Sequence, residues 1–261
     1  MENIWNTLKT GLKQYCTENG FNKVILGLSG GIDSALTSVL AADTLGGENV
    51  TALMMKTKYT SDLSLKIARE IAERNHLNYQ ELDIDPIVKA EVEFLKKAFL
   101  EKIKGIVVEN LQARIRGQIL MAYSNQKGGL VLACGNKSEI YTGYCTLYGD
   151  TCGGLAPIGN IYKTTVFELA KWRNTLSYVL PNEVITRAPS AELAFNQKDE
   201  NSLPPYPILD AILKLLVDNG DSIEKVISSG FDRETVERVD KLIKHSAFKR
   251  KQLAETIKIH V

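Results

Sequence analysis

Hydrophobic and polar positions alternate along the first third of the chain in a pattern that predicts strands and helices in turn. Val24-Ile25-Leu26 is a short apolar run with the β-branched residues typical of a buried strand. Similar runs predict strands over 50–55 and 77–84, and helical patterns over 35–45 and 63–75 lie between them. This β-α-β-α-β order predicts an α/β fold with a doubly wound parallel sheet.

The remaining pattern predicts one further strand over 130–133 and a helical C-terminal extension. The stretch 141–160 changes to Gly, Tyr, Thr and Cys, which is typical of a functional loop. Residues 188–207 are polar and irregular, so we predict a lid that is mobile without ligand and becomes ordered over bound nucleotide. No segment resembles a linker, and we expect one domain over 1–261. Further helices are predicted over 4–19, 86–100, 105–125, 163–177, 208–219, 222–229 and 232–248.

Composition narrows the classes of function. The 261 residues are 44% hydrophobic and 24% charged, with a net charge of +1, so neither a nucleic-acid surface nor a membrane surface is indicated. There is no apolar run of transmembrane length and no secretory signal, so we expect a cytoplasmic protein. The cysteines form no Cys-x-x-Cys pair and are interpreted as reduced thiols, although a thiol-transfer or metal role for Cys145 and Cys152 stays open.

A glycine-rich turn follows the first strand and is the strongest chemical signal. Ser29-Gly30-Gly31 precedes Asp33 and Ser34 at the start of a helix, a layout that binds phosphate through backbone N–H groups and the helix dipole. A Walker A loop would carry a lysine here, and none is present. A lysine-free loop suits cleavage of ATP between its α- and β-phosphates. The alternatives are a βα turn without a ligand and an Asp33 that only caps its helix.

Several motifs together resemble one family. SGGIDS is similar to the PP-loop of the ATP pyrophosphatases. With the other motifs it resembles NAD⁺ synthetase, in particular the synthetase domain of the glutamine-dependent enzymes, from the first helix to Gln252. The motifs are LSGGIDSA (28–35), ENLQARIRG (109–117), GNKSE (135–139), GYCTLYGD (143–150), Lys163-Thr164, APSAEL (188–193), QKDENSLPPYPILD (197–210) and FKRKQ (248–252).

The resemblance implies an activity. ATP adenylates the nicotinate carboxylate of deamido-NAD (nicotinic acid adenine dinucleotide), pyrophosphate leaves, and ammonia displaces AMP to give NAD⁺. Mg²⁺ and basic residues would neutralise the anions that meet at the α-phosphorus. The resemblance also implies a five-stranded sheet of the adenine nucleotide alpha hydrolase type. It further implies a homodimer with deamido-NAD near the interface, for which apolar residues of the first helix and of 105–125 are candidates.

The resemblance also assigns residues to the site. Asp33 and Glu139 would hold Mg²⁺ and, with Lys163 and Asp150, form the catalytic group, with Asp150 next to the attacking amine. The ATP site would comprise Gly27, Leu28, Ser29, Gly30, Gly31, Ile32, Asp33, Ser34, Lys58, Cys134, Lys163 and Ser190. The deamido-NAD site would comprise Asn110, Arg114, Glu139, Lys249 and Lys251.

Each assignment has a structural alternative. Glu139 would otherwise be a solvated residue that opens a helix, and Lys163 a solvated lysine at a helix start. Lys249 and Lys251 would be basic residues that favour a helix C-terminus. Arg116 is interpreted as an ordinary salt-bridging residue on a helix surface.

The sequence departs from the family pattern at several positions. Lys58 stands where Arg is frequent beside the adenine, Lys56 where Pro is usual, and Cys134 where Thr is common. Leu147 fits the glutamine-dependent branch. Yet only about two dozen residues precede the loop, too few for an amidohydrolase domain. We therefore expect a chain that uses free ammonia, receives ammonia from a separate glutaminase, or is a fragment of a longer protein.

Two other classes of function are alternatives to this activity. Another PP-loop amidating or thiolating enzyme, such as one that modifies tRNA, would require a basic RNA-binding face, which the near-neutral charge disfavours. A non-catalytic nucleotide-binding subunit would have lost its acidic or basic site residues, but Asp33, Glu139 and Lys163 are all present.

Overall fold

A parallel sheet forms the centre of the computed structural model, which describes residues 1–190, 192–195, 199 and 202–259. Its strands are β1 (Val24–Gly27), β2 (Val50–Lys56), β3 (Asn78–Asp83) and β4 (Leu130–Val131). They run in the order β3-β2-β1-β4, and every neighbouring pair is parallel. The predicted parallel sheet is therefore confirmed.

Short segments continue the sheet beyond β4. Leu132 and Leu155 form a single parallel bridge, which joins β5 (Leu155–Ala156) to the end of β4. β5 also pairs in parallel with β6 (Glu255–Thr256) near the C-terminus. The single bridge links β5, which lies inside the stretch 141–160 that is predicted as a loop, to the four-stranded sheet. Neither β5 nor β6 was predicted, because two residues are too few to show a periodicity.

Helices cover both faces of the sheet, as a doubly wound fold requires. The helices of the described residues are α1 (Glu2–Glu18), α2 (Ile32–Leu45), α3 (Asp62–Arg74), α4 (Asp85–Phe99), α5 (Ile106–Lys127), α6 (Lys137–Thr142), α7 (Lys163–Leu176), α8 (Asn182–Thr186), α9 (Tyr206–Leu213), α10 (Ile223–Ser228), α11 (Arg233–His245) and α12 (Ala247–Arg250). Lys214–Asp218 continues α9 as a π-helical turn, and Gly47–Asn49 is a 3₁₀ turn.

The alternation of side chains along β1 creates two hydrophobic cores. Val24 and Leu26 pack with α1, α2 and α7 on one face, and Ile25 packs with α4 and α5 on the other. Strands that are buried on both faces have continuous apolar sequences, which is why Val24-Ile25-Leu26 could be predicted as a strand.

The C-terminal helices form a third core. Leu209, Ile212 and Leu213 of α9 are buried against Val226 of α10 and Val239 of α11. α9 also contacts α6 and α7, so the extension is packed against the helices that start at one edge of the sheet.

The apolar face of α1 is not available for a subunit interface. Trp5, Leu8 and Leu12 are all buried in the core of the same subunit, so these three residues cannot contribute to the expected interface. Ile106 and Val107 at the start of α5 do remain exposed. Among the described helices, none is both long and apolar enough to cross a membrane.

Candidate active site

A cavity of about 270 Å³ lies at the carboxyl ends of the central strands. Gly27 of β1, Met55 of β2 and Leu132 beyond β4 contribute to its walls. This is the edge at which doubly wound sheets bind ligands, because the loops that follow parallel strands meet there. The predicted residues that line the cavity are Gly27, Ser29, Gly31, Ile32, Asp33, Ser34, Cys134, Glu139, Asp150, Lys163 and Ser190.

The turn between β1 and α2 needs glycine at position 30. Gly30 has a φ of +79°, a conformation that residues with a side chain rarely adopt. A Cβ atom there would also lie 2.5 Å from the carbonyl oxygen of Ser64 in α3. The turn therefore packs directly against a neighbouring helix, and Gly30 shapes the loop without lining the cavity.

Two hydroxyl groups hold the turn together. Ser34 Oγ accepts a hydrogen bond from the Ser29 N–H (3.2 Å) and donates one to the Gly31 carbonyl (3.1 Å). Ser29 Oγ accepts from the Gly31 N–H (3.2 Å). Gly31 is the N-cap of α2 and no side chain caps this helix, so Asp33 is not its cap. The start of α2 faces the cavity with its positive dipole end, which favours an anion.

Lys163 joins two carboxylates at the cavity wall. It is the first residue of α7, and only 2% of its side chain is exposed. Its Nζ lies 2.5 Å from Asp33 Oδ2 and 3.2 Å from Glu139 Oε1. The alternative of a solvated lysine at a helix start is therefore wrong. Residues 130 and 24 positions apart in the sequence meet at one ammonium group.

Burial and charge act in opposite directions on this cluster. Burial is the main cause that raises the pKa of Glu139 to about 8, although the charge of Lys163 opposes it. Burial alone would lower the pKa of Lys163, but the charges of Asp33 and Glu139 outweigh it and raise that pKa. Because two carboxylates share one ammonium, the cluster has a surplus of negative charge when both are ionised.

Asn136 in the GNKSE motif orients both carboxylates. Its side-chain amide donates to Asp33 Oδ1 (2.9 Å), and its side-chain oxygen accepts from the Glu139 N–H (3.1 Å). Glu139 Oε2 in turn accepts from the Asn136 N–H (3.2 Å), which completes a capping box at the start of α6. The structural alternative for Glu139 was a solvated residue at the start of a helix. Glu139 does lie in the first turn of α6, but it is not solvated.

The donor set suits a magnesium ion bound together with a nucleotide. Mg²⁺ in phosphate-transfer sites takes one or two carboxylates and completes its shell with phosphate oxygens and water. Asp33 and Glu139 provide two such carboxylates beside the anion-binding turn. No group of three or more His, Cys, Asp or Glu side chains within the described part of the chain could hold a metal alone. The site therefore fits a metal that arrives with its phosphates.

Asp150 lies at the cavity wall on the loop that follows α6. Its Oδ1 accepts a hydrogen bond from the Thr146 N–H (2.8 Å), which fixes the carboxylate within its own turn. Desolvation raises the pKa of Asp150 above its usual value, and because the residue is exposed towards the open cavity, water there limits the size of this increase.

Cys134, also at the wall, has its pKa raised to about 12 by burial, so its thiol is protonated at neutral pH.

Three of the predicted deamido-NAD residues lie around the Asp150 loop rather than at the cavity. Asn110 Oδ1 accepts from Thr146 Oγ1 (2.8 Å), and Arg114 Nε donates to the Leu147 carbonyl (3.3 Å). Lys249 Nζ donates to the carbonyl oxygens of Gly143 (2.9 Å) and Cys145 (2.6 Å). Four further predicted site residues neither line the cavity nor support this loop: Leu28, Gly30, Lys58 and Lys251.

Two of these residues, Lys58 and Lys251, are exposed and do not line the cavity. Lys58 is exposed, and its Nζ lies 4.9 Å from the centre of the neighbouring Tyr59 ring. Lys251 is exposed as well. Their proposed contacts with ligand thus require that the ligand, or a second copy of the chain, extends beyond the cavity.

Arg116 lines the cavity although it was interpreted as a surface residue. Its Nε donates to the carbonyl oxygen of Met55 at the end of β2 (3.1 Å), and burial lowers its pKa to about 10. A signal for this position was present, because Ala113 and Leu120 lie on the same face of α5 at spacings of three and four. Arg114, two residues earlier, points to the opposite side and is exposed.

The described part of the predicted lid packs against the loop that follows β2 and against the start of α3. Glu192 Oε1 accepts from Ser64 Oγ (2.7 Å), and the Phe195 ring meets the edge of Tyr59 at 4.8 Å between ring centres. The predicted lid residues that lie outside the described residues are 191, 196–198 and 200–201. Mobility without ligand remains a prediction.

The fold and this cavity define an α/β protein of the PP-loop class. Comparison with protein families matches residues 4–253 to the NAD synthase model. The chain belongs to the NAD synthase family, as the motifs predicted.

Known relatives agree with this assignment. The chain is 49% identical over 257 residues to a glutamine-dependent NAD(+) synthetase of Xanthomonas campestris, covering 98% of this chain and 47% of that protein. The chain thus spans about half the length of the curated relatives it matches. Among solved structures, an NH3-dependent NAD synthetase from Campylobacter jejuni in complex with the nitrate ion is 29% identical, with a TM-score of 0.78 and 95% of both chains covered. An NMN synthetase from Francisella tularensis is 27% identical, with a TM-score of 0.81 and coverage of 100% of this chain and 97% of that one.

Proposed function

We propose that the chain, as one domain over 1–261, catalyses the ATP-dependent amidation of deamido-NAD to NAD⁺ with ammonia as the nitrogen donor. The observation that carries the proposal is Lys163, buried between Asp33 and Glu139 beside the glycine turn. A fixed cation and two metal-binding carboxylates next to an anion site are what attack on an α-phosphorus needs. Membership of the NAD synthase family supplies the substrate.

In the first step the nicotinate carboxylate attacks the α-phosphorus of ATP, and the bond to the pyrophosphate oxygen breaks. The start of α2 and the turn 29–31 bind the departing pyrophosphate through backbone N–H groups. Lys163 would place a positive charge where the two anions meet, and the half-buried Arg116 adds a second cation to the cavity wall. Asp33 and Glu139 would hold Mg²⁺, which supplies further charge neutralisation when bound.

In the second step ammonia attacks the carbonyl carbon of the acyl adenylate, and AMP leaves with the bonding electron pair. Ammonium must lose one proton before it can attack, and the amide nitrogen loses another during the reaction. Asp150 is the carboxylate proposed to bind ammonium and accept a proton. Its pKa is raised by desolvation, which improves it as a base near neutral pH.

Two partners belong to the proposal. The relatives named as glutamine-dependent are about twice as long, which supports a glutaminase as an alternative source of ammonia, either on a separate chain or on a longer form of this one. A homodimer is proposed through exposed residues of the α4–α5 region, including Phe99, Leu100 and Ile106.

A second candidate is amidation of nicotinate mononucleotide. The observation that favours it is the match over nearly the whole of both chains to the Francisella tularensis NMN synthetase. The acyl chemistry would be the same, and only the AMP half of the dinucleotide would be missing.

A product assay distinguishes these functions. Protein, ATP and Mg²⁺ are combined with deamido-NAD or nicotinate mononucleotide, and with ammonium or glutamine, and NAD⁺, NMN, AMP and pyrophosphate are quantified. NAD⁺ from ammonium with equal AMP and pyrophosphate supports the proposal, and its loss with EDTA supports the metal. NMN in preference to NAD⁺ supports the second candidate. ATP binding without either product would contradict both.

The role of Asp150 has its own test. Asp150→Asn should raise the apparent KM for ammonium and lower turnover, with little change in the KM for ATP. Normal turnover at saturating substrates, with only the binding of deamido-NAD lost, would contradict this role.

A further inference from the structure

Asp210 is a buried carboxylate on α9 that lies outside the cavity lining. Its Oδ1 accepts a hydrogen bond from Ser138 Oγ (2.5 Å), and its Oδ2 accepts one from the Thr164 N–H (2.8 Å). Only 2% of the residue is exposed. Both partners are uncharged, so this carboxylate is not held by an ion pair with a lysine or arginine among the described residues.

The two partners belong to the first turns of two different helices. Ser138 is the second residue of α6, and Thr164 is the second residue of α7. Ser138 Oγ also accepts a hydrogen bond from the Lys163 N–H (2.9 Å). The chain of contacts therefore runs from Asp210 through Ser138 to the backbone of Lys163, and α6 and α7 begin at one shared carboxylate.

Each of these first turns carries a residue of the Lys163 cluster. Glu139 directly follows Ser138, and Lys163 directly precedes Thr164. The negative charge of Asp210 lies at the positive dipole ends of both helices, which stabilises it and fixes the two helix starts relative to each other. A buried carboxylate needs hydrogen bonds or dipoles that offset its desolvation, and for Asp210 both come from the first turns of α6 and α7.

We infer that Asp210 is a positioning residue: by binding the first turns of α6 and α7 it sets the distance between Glu139 and Lys163, and so couples the C-terminal helical extension to the active site. The core of α9, α10 and α11 holds Asp210 in place through its neighbours Leu209 and Leu213. The inference about catalysis rests on the proposed function, but the effect on the nucleotide site does not depend on it.

Three variants test the inference. Asp210→Asn keeps the size of the side chain and one acceptor but removes the charge at both helix starts. Ser138→Ala removes the hydroxyl that links Asp210 to the Lys163 backbone, but it leaves the charge of Asp210 and its hydrogen bond from the Thr164 N–H, so it is the milder change. Asp43→Asn is the matched control, because Asp43 also bridges two helices through hydrogen bonds, to Trp5 of α1 and Arg173 of α7, but does not line the cavity.

We expect Asp210→Asn to lower kcat by about ten-fold or more and to weaken ATP binding, measured by calorimetry with Mg²⁺, by about three- to ten-fold. Ser138→Ala should show smaller changes of the same kind. The double variant should lose less than the product of the two single effects, because both changes break one chain of contacts. Asp43→Asn should lower the melting temperature while kcat and ATP affinity stay within about two-fold of the parent.

The inference is overturned if Asp210→Asn lowers the melting temperature as Asp43→Asn does but leaves kcat and ATP affinity unchanged. It is also overturned if the effects of Asp210→Asn and Ser138→Ala multiply independently. If the parent protein binds ATP but forms no amidated product, the proposed function fails. The calorimetric comparison of Asp210→Asn with Asp43→Asn still decides the positioning role in that case.

Discussion

Two acid–base pairs join the same two helices, α2 and α7, but only one belongs to the active site. Asp33 meets Lys163 at the start of both helices, and Asp43 meets Arg173 ten residues further along both. In each pair the partners are 130 residues apart in the sequence, and each acidic group is about one-fifth exposed. The structure therefore contains two similar pairs, one catalytic by our proposal and one structural.

The difference lies in the groups around each pair. At the structural end, the Asp43 carboxylate accepts from Arg173 Nε (2.6 Å), Arg173 Nη2 (2.9 Å) and the Trp5 indole (3.1 Å), while Arg173 Nη1 donates to Ser177 Oγ (2.8 Å). Every charge there has its partners within the protein. At the other end, a second carboxylate shares the single ammonium and a cavity adjoins it. A surplus of charge next to an open space is what distinguishes a binding site from a structural contact.

The largest expected effect comes from removal of the central cation. Lys163→Met keeps the length of the side chain but removes its charge, so the attack of one anion on another loses its fixed counter-charge. We expect kcat for NAD⁺ formation to fall roughly 10²–10³-fold, measured by product quantification at saturating substrates. A variant that kept more than a tenth of the parent kcat would show that the two pairs do not differ in this way.

The structural pair should respond in the opposite manner. Arg173→Met leaves Asp43 without its bidentate partner, and breaking such a pair costs about 3 kcal/mol of unfolding free energy. Urea denaturation should detect this loss, while kcat per folded molecule stays within about two-fold of the parent. A large loss of kcat in a variant that is still folded would contradict the assignment of this pair to structure alone.

A smaller effect concerns pH. Since the pKa of Glu139 is raised to about 8 in the folded protein, the folded state holds a proton that an unfolded glutamate releases at a lower pH. The contribution of the protonated Glu139 to the free energy of unfolding is therefore present at low pH and is lost as the pH rises through about 8. Between about pH 5 and about 8, we expect the melting temperature of the ligand-free protein to fall by about 2–4 °C more than that of the Glu139→Gln variant.

Comparison of the parent protein with Glu139→Gln isolates the effect of the Glu139 carboxyl group, because other raised carboxyl pKa values, such as that of Asp199, are common to both proteins. Parallel melting curves across the range from pH 5 to about 8 would show that Glu139 is ionised throughout.

Local sequence patterns determined the main elements and the family of this protein. The apolar runs at β1 and β2 are buried on both faces, so their composition alone indicates strands, and the glycine turn after β1 marks the ligand-binding edge. The motifs around Asp33, Glu139 and Lys163 identified residues that do line one cavity. These features depend on a few consecutive residues, which is why they could be predicted.

Tertiary structure alone decided which charged residues meet. Arg116 rather than Arg114 lines the cavity because the packing of α5 against the sheet turns that face inward. Lys249 supports the Asp150 loop, and Asp210 joins two helix starts, although neither role shows in the periodicity of its own helix. The physical reason is that a hydrophobic pattern fixes which face of an element is buried, whereas the partner of a polar side chain depends on how distant elements pack together.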